Sequence, residues 1–258
     1  MLILLPPSEG KAVPRRGAPL RPDSWPDELA EARERVIAAL QRLCRGDLDT
    51  AVATLGVRPT QADEVRRNAR LRELPTAPAE RVYTGVLYEA LGLTTLDASA
   101  HRRALARIAI TSSLYGLVRP GERIAPYRLG GGVTLPGLGV VAAHWRGVLD
   151  PVVRERAGRG LAVDLRSSTY AAFWRPAADL APRVVAVRVL HEVNGRRQVV
   201  SHFNKATKGR LVRSLLQDGR DARTPSAFAA LLGDLGWHVE PGPAGQTGPS
   251  LDVVVREL

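Results

Sequence analysis

Arg107-Ile-Ala-Ile-Thr-Ser112-Ser-Leu-Tyr-Gly116 is the stretch on which the reading of this chain turns. A short apolar run, Ile108 to Ile110, passes straight into two serines and a tyrosine. Such a run, too short for a helix, reads as a buried strand that ends at a polar surface. The pattern recurs in both directions. Toward the start, Leu2-Ile-Leu-Leu5 leads through two prolines into Ser8-Glu-Gly-Lys11. Toward the end, Leu161-Ala-Val-Asp-Leu165 leads into Arg166-Ser-Ser168-Thr-Tyr170. Further on, strands are expected over 183–193 and 197–203, joined by Asn194-Gly195, the strongest short hairpin signal in the chain. Closing strands are expected over 237–240 and 251–256.

Helical periodicity fills the intervals. Leu29, Ala32, Val36, Ala39, Leu40 and Leu43 mark a helix over 26–43, capped by Asp23 or Ser24. Others are expected over 47–55, ended by Gly56, and over 61–71, capped by Thr60. Further helices are expected over 80–91, 98–106, 142–156, 206–216 and 225–235. Strands that alternate with helices, with one antiparallel hairpin, predict an α/β (mixed α+β) chain. It would hold a single mixed β-sheet flanked by helices. Residues 1–258 read as one domain, with a helical subdomain over about 24–75.

Apolar residues make up 45% of the chain, enough for a substantial core. The lone Cys44 excludes an internal disulfide and fits a reducing compartment. No apolar run approaches the ~20 residues a membrane span requires, and the start lacks the basic segment of a secretory leader. The expectation is a cytoplasmic monomer without a membrane partner. A net charge of +11 attracts polyanions, although arginine is scattered rather than gathered.

Lysine is scarce. Lys11, Lys205 and Lys208 are the only three, and arginine fills the other 34 of 37 basic positions. Arginine is permanently charged, whereas a lysine amine can lose its proton and act as base or nucleophile. The lysines lie in two polar segments, Pro6-Pro-Ser-Glu-Gly-Lys11 and Phe203-Asn-Lys-Ala-Thr-Lys-Gly209. One polar cluster at a strand end reads as a cap. Four of them, Ser8–Lys11, Ser112–Ser113, Arg166–Ser168 and Ser201–Lys205, read as a site, because open α/β sheets bind ligands beyond their strand ends. The expected cleft suits a small anionic or nucleotide-like ligand. Lys11 or Lys205 is its base or nucleophile, and Tyr115, Ser112 or Tyr127 its proton donor. Arg128, Arg166 and Lys208 hold the anion, with Ser8, Tyr83, Ser168 and Asn204 beside them. Lys205 and Lys208 are expected to flank the N-terminus of the helix over 206–216, whose free N–H groups favour anions.

Several motifs fail on context. Gly10-Lys11 lacks the upstream glycine of a phosphate-binding loop, and Gly137-Leu-Gly139 follows a proline, so it reads as a simple turn. Ser8-x-x-Lys11 lacks the helix an acylase needs. The five histidines lack ligand spacing, so no structural metal is expected. No cofactor can be assigned.

Taken together, these segments resemble the YaaA family of bacterial peroxide-stress proteins. The resemblance rests on Leu5-Pro-Pro-Ser-Glu-Gly-Lys11, Tyr83-Thr-Gly with Tyr88, and Ser112-Ser-Leu-Tyr-Gly-Leu-Val-Arg-Pro120. It continues in Ile124-Ala-Pro-Tyr-Arg-Leu129, Asp164-Leu-Arg-Ser-Ser-Thr-Tyr170 and Phe203-Asn-Lys-Ala-Thr-Lys-Gly209. It implies one α/β unit with a helix-hairpin-helix element, duplex DNA as partner, and a role in limiting iron-driven peroxide damage. The hairpin would fall at Leu55-Gly56-Val57-Arg58, with Gly56 and Arg58 meeting the DNA. Arg58 stands where the family pattern has a second glycine. Gly130 stands where many relatives carry an acidic residue.

Overall fold

The computed structural model describes residues 1–21, 25, 27–193, 196–198, 201–243 and 248–256. The chain opens with β1 (Leu2–Leu5), then α1 (Asp27–Arg45), α2 (Leu48–Leu55) and α3 (Ala62–Ala69). β2 (Ala77–Pro78), α4 (Ala79–Val82), α5 (Val86–Leu91) and α6 (Ala98–Arg107) lead into β3 (Ile108–Ser112). β4 (Gly116–Val118), β5 (Arg123–Ile124), β6 (Thr134–Leu135) and β7 (Gly139–Val140) precede α7 (Val141–Arg146) and α8 (Leu149–Ala157). The last part holds β8 (Ala162–Asp164), α9 (Ser168–Ala171), β9 (Val184–Val193) and β10 (Arg196–Gln198), then α10 (Ser201–Asp218), α11 (Pro225–Asp234), β11 (Val239–Pro241) and β12 (Ser250–Val255).

Eight of the described strands form one mixed sheet in the order β11-β12-β9-β8-β1-β3-β4, with β10 on β9. β1 lies inside it, parallel to β3 on one side and β8 on the other. Parallel pairing continues from β8 to β9 and from β9 to β12. β4, β10 and β11 pair antiparallel to their neighbours. All four residues of β1 are buried, as are all five of β3. This is why both read as unbroken apolar runs instead of alternating ones: helices cover both faces of a parallel sheet. Register sets Leu5 beside Ile110 and Leu4 beside Asp164. The polar exits of β1, β3 and β8 therefore emerge side by side at one end of the sheet.

Where the helices differ from the sequence reading, the cause is local. The helix expected over 80–91 is two short ones, α4 and α5. They part at Tyr83-Thr84-Gly85, where Gly85 has φ 96°, a value only glycine adopts without strain. The helix over 142–156 is likewise two, α7 and α8, separated at Gly147 and Val148. Thr60 is no cap: it lies inside a 3₁₀ turn, Pro59–Gln61, ahead of α3. α10 begins at Ser201 and not at 206, so residues 201–203 of the expected strand 197–203 are helical, and 199–200 lie outside the described residues. Thr207, Leu211, Leu215 and Leu216 bury one side of α10, and the helix packs on α5 and α6. Gly209 permits that approach, since a Cβ there would strike the carbonyl of Leu87. As a consequence Lys205 and Lys208 lie within the helix and do not flank its N-terminus.

Asp47 caps α2 by accepting the Thr50 N–H at 2.8 Å, and Gly56 ends that helix in the left-handed region. Gly137 lies in the turn of the small β6–β7 hairpin, as expected of a simple turn, and Gly139 opens β7. The proposed caps Asp23 and Ser24 and the Asn194-Gly195 turn fall outside the described residues. Within 24–75, α1, α2 and α3 pack on one another, and α1 also reaches α7.

Candidate functional site

At the end of β1 the chain turns outward through Pro6 and Pro7. Ser8 fixes this turn twice: its hydroxyl donates to the Gly10 carbonyl at 2.5 Å and accepts the Thr84 N–H at 3.1 Å. Lys11 then pairs as an isolated bridge with Tyr83, in the gap between α4 and α5. The break that divides the expected helix is thus the seat of the lysine loop. Lys11 Nζ donates to the Ser8 carbonyl at 2.8 Å and lies 4.2 Å from the centre of the Tyr127 ring and 5.6 Å from that of Tyr83. Burial and the nearby Arg128 guanidinium bring its pKa down to about 7, against a smaller upward pull from Glu64 and Glu9. The aromatic faces favour the ammonium, but they do not outweigh desolvation.

Beneath Lys11 lies a chain of hydroxyls. Tyr83 and Tyr127 share a hydrogen bond of 3.2 Å, and Tyr127 shares one of 2.8 Å with Ser112, the last residue of β3. Ser112 Oγ also accepts the Tyr115 N–H at 3.1 Å. Tyr88 stacks on Tyr83 with ring centres 5.5 Å apart and donates to the Pro6 carbonyl. Burial pushes the phenols of Tyr83, Tyr88, Tyr115 and Tyr127 above their ordinary value, so they stay protonated. Tyr115 is the one that points away from this chain: its hydroxyl donates to the Ala125 carbonyl and accepts the Ala125 N–H, both at 3.1 Å. Arg128 flanks the loop. Asn68 clamps its backbone through hydrogen bonds of 2.7 and 3.0 Å, and its guanidinium meets the exposed Glu9 at 3.6 Å.

The exit of β8 makes a second lobe. Arg166, with a side chain 2% exposed, grips both oxygens of Asp164 and also donates to the carbonyls of Tyr170 and Trp174. Burial raises the Asp164 pKa, but the charge and hydrogen bonds of Arg166 prevail and leave it below the ordinary carboxylate value. Lys208 reaches across from α10 to the Leu165 carbonyl at 2.8 Å, and burial lowers its pKa to about 8 against the pull of Asp164. Leu165 N–H in turn donates to Leu4 of β1. Tyr170 joins the lobes: its hydroxyl accepts a long hydrogen bond from Ser113, and its phenol senses both Glu9 and Arg128.

The structure therefore gathers Ser8, Lys11, Tyr83, Ser112, Tyr127 and Arg128 in one lobe, and Arg166 and Lys208 in the next. Ser168 is exposed at the start of α9. Asn204 has a buried Oδ1 with no hydrogen-bond partner among the described residues, and Lys205 is exposed on α10. Arg166 is fully engaged by protein groups, which leaves Arg128 as the guanidinium with unused donors beside Lys11. Sequence reasoning passed over Asp164 as a site residue, and it gave Glu9 and Ser113 no role of their own within their clusters. For Asp164 the signal was present: a carboxylate inside an apolar strand needs a partner. It also passed over Arg33, fully buried on α1, which donates to the carbonyls of Tyr115 and Leu117 and pairs with Glu122 at 2.5 Å. That contact spans α1 and the β3–β4 turn, and no local pattern encodes it.

The α2–α3 turn holds its own amides. Gly56 N–H donates to Ala53, Val57 N–H to Val52, and Arg58 N–H to the Gln61 side chain, each at 3.2 Å. These backbone N–H groups are engaged within the turn, and the Arg58 side chain is exposed.

The family model described as "Peroxide stress protein YaaA" matches residues 1–241. This chain belongs to that family. A UPF0246 protein of Streptomyces coelicolor is 49% identical over 261 residues, covering 100% of both chains. One of Corynebacterium efficiens is 40% identical over 247 residues, covering 93% of this chain and 95% of the relative. One of Cereibacter sphaeroides is 32% identical over 232 residues, covering 84% and 87%. Membership in the YaaA family supports a role in peroxide stress. Among the described residues no helix is long and apolar enough to cross a membrane, and no group of three or more metal-ligating side chains occurs.

Proposed function

We propose that this YaaA-family chain is a cytoplasmic peroxide-stress protein that binds duplex DNA through the arginines of its α1–α3 region. The observation that carries the reading is the exposure of Arg42 and Arg45 on α1, Arg58 in the α2–α3 turn and Arg66 on α3. Arg42, Arg45 and Arg72, with Gln41, line an open groove beside them. The net charge of +11 favours encounter with a polyanion. Because the turn amides are engaged, phosphate contact falls to side chains, which position a protein on the duplex without reading sequence.

Fluorescence anisotropy with a labelled random-sequence duplex tests this. Binding is expected at about 50 mM salt, weakening steeply as salt rises. A variant carrying Arg58→Glu and Arg66→Glu is expected to bind more weakly, with the log–log salt slope reduced by about 1 for each phosphate that is no longer neutralised. Absence of binding at low salt, or an unchanged slope in the variant, overturns the reading.

A further inference from the structure

Lys11 is placed unlike a structural lysine. Its Nζ donates to two backbone carbonyls, Ser8 at 2.8 Å and Glu9 at 3.4 Å, and to no carboxylate among the described residues. Glu64 and Glu9 act on the amine only through their charge, and Glu9 is 83% exposed and turned toward Arg128. Two tyrosine rings wall the amine. An amine that is desolvated and set beside another cation is held in the state that attacks carbon. Arg128 is itself underused: 3.6 Å to Glu9 is beyond good hydrogen-bond distance, so its fork remains open to a carboxylate or phosphate. The mouth of the site is accessible, since Glu9, Gly10, Ser168 and Thr169 are exposed and Lys11 and Tyr170 are only partly buried.

The geometry points to Lys11 as the nucleophile of a covalent site for an aldehyde or ketone that carries a carboxylate or phosphate, with Arg128 holding the anion. Neutral Nζ adds to the carbonyl carbon, and its proton passes to the carbonyl oxygen, giving a carbinolamine. Loss of one water then leaves a C=N bond to Nζ. Water returned to that bond restores Lys11 and the carbonyl, so the step consumes no oxidant or reductant. The lowered pKa of Lys11, about 7, agrees with this role near neutral pH. Carbonyl fragments are also what oxidising radicals leave on sugars, which fits a peroxide-stress family. The inference goes beyond DNA binding and does not depend on it.

Borohydride trapping tests it on the full-length protein. The protein is incubated separately with glyoxylate, glyceraldehyde 3-phosphate and propionaldehyde, reduced, and mapped by peptide mass spectrometry. The expected result is one adduct per chain, on Lys11, at least tenfold over Lys205 and Lys208. An Arg128→Gln variant is expected to lose trapping of the charged aldehydes while keeping that of propionaldehyde. Preference for glyoxylate identifies a carboxylate substrate, and preference for glyceraldehyde 3-phosphate a phosphorylated one. Lys11→Arg should yield no adduct at that position. The wild-type map alone decides the matter if that variant fails to fold. Adducts spread evenly over the three lysines, or none on Lys11, overturn the proposal without touching the DNA titration.

Discussion

The loop that carries Lys11 and the first turns of α10 are similar in kind as sequence: polar residues, a small residue and a scarce lysine. Their fates differ. The loop leaves an interior strand of the mixed sheet, so its lysine is enclosed by elements from three directions: the α4–α5 break, the Tyr127 segment and the end of β3. On α10, position in the helix decides. Lys208 lies against the end of β8 and is drawn into the site, whereas Lys205, three residues earlier, faces outward. Scarcity of a residue type marks candidates, and the geometry of the element sorts them.

The largest expected effect tests the β8 lobe. Asp164→Ala strands a buried Arg166 and removes the charge facing Lys208. A loss of about 3–5 kcal/mol is expected, as for other broken buried pairs, read from urea denaturation. A loss under about 1 kcal/mol would show that the second lobe is not a buried unit.

The lysines themselves come next. At neutral pH, acylation of Lys11 by a small amine-reactive ester should outpace that of Lys208 by several-fold, since more of the amine with the lower pKa is unprotonated. Quantitative peptide mass spectrometry reads the ratio. Equal rates would erase the distinction between loop and helix.

Stability should follow the same titrations. Lys11 and Lys208 have folded-state pKa values of about 7 and about 8, below the ordinary 10.5. Between those limits the unfolded chain binds more protons, so their contribution makes stability rise with pH and fall back as pH drops through the folded values. Asp164 acts at the acid end: its contribution is present above the ordinary carboxylate pKa and is lost as pH falls through its depressed folded value. Denaturation midpoints of wild type and Lys11→Met across pH 7 to 10 check the basic limb, where the variant should show the shallower rise.

Within the first lobe, Tyr127→Phe removes the hydroxyl between Tyr83 and Ser112 and leaves two buried groups short of a partner. A cost of about 1–3 kcal/mol is expected, measured by denaturation. Lys205→Ala marks the small end of the series, a change within about 0.5 kcal/mol, as for exposed substitutions generally. A larger effect would show that Lys205 has a partner.

Much of this architecture was legible from residues alone. Runs such as Leu2–Leu5 and Ile108–Ile110 are apolar because both faces of the strand are covered, and their polar exits follow from the sheet's end meeting solvent. Helices 26–43 and 225–235 carry their own periodicity, and Asp47 and Gly56 their own cap chemistry. Those features are local, and local sequence determines them. What the tertiary structure alone decided is longer in range. The break at Gly85 seats Lys11 against Tyr83, and α10 runs from Ser201 with its later turns packed on α5 and α6. Arg33 is buried because its partners, Glu122 and the carbonyls of Tyr115 and Leu117, arrive from more than eighty residues further along the chain. The protonation of Lys11 depends on burial and on Arg128, more than a hundred residues away. Desolvation and charge act through space, so no window of sequence contains them.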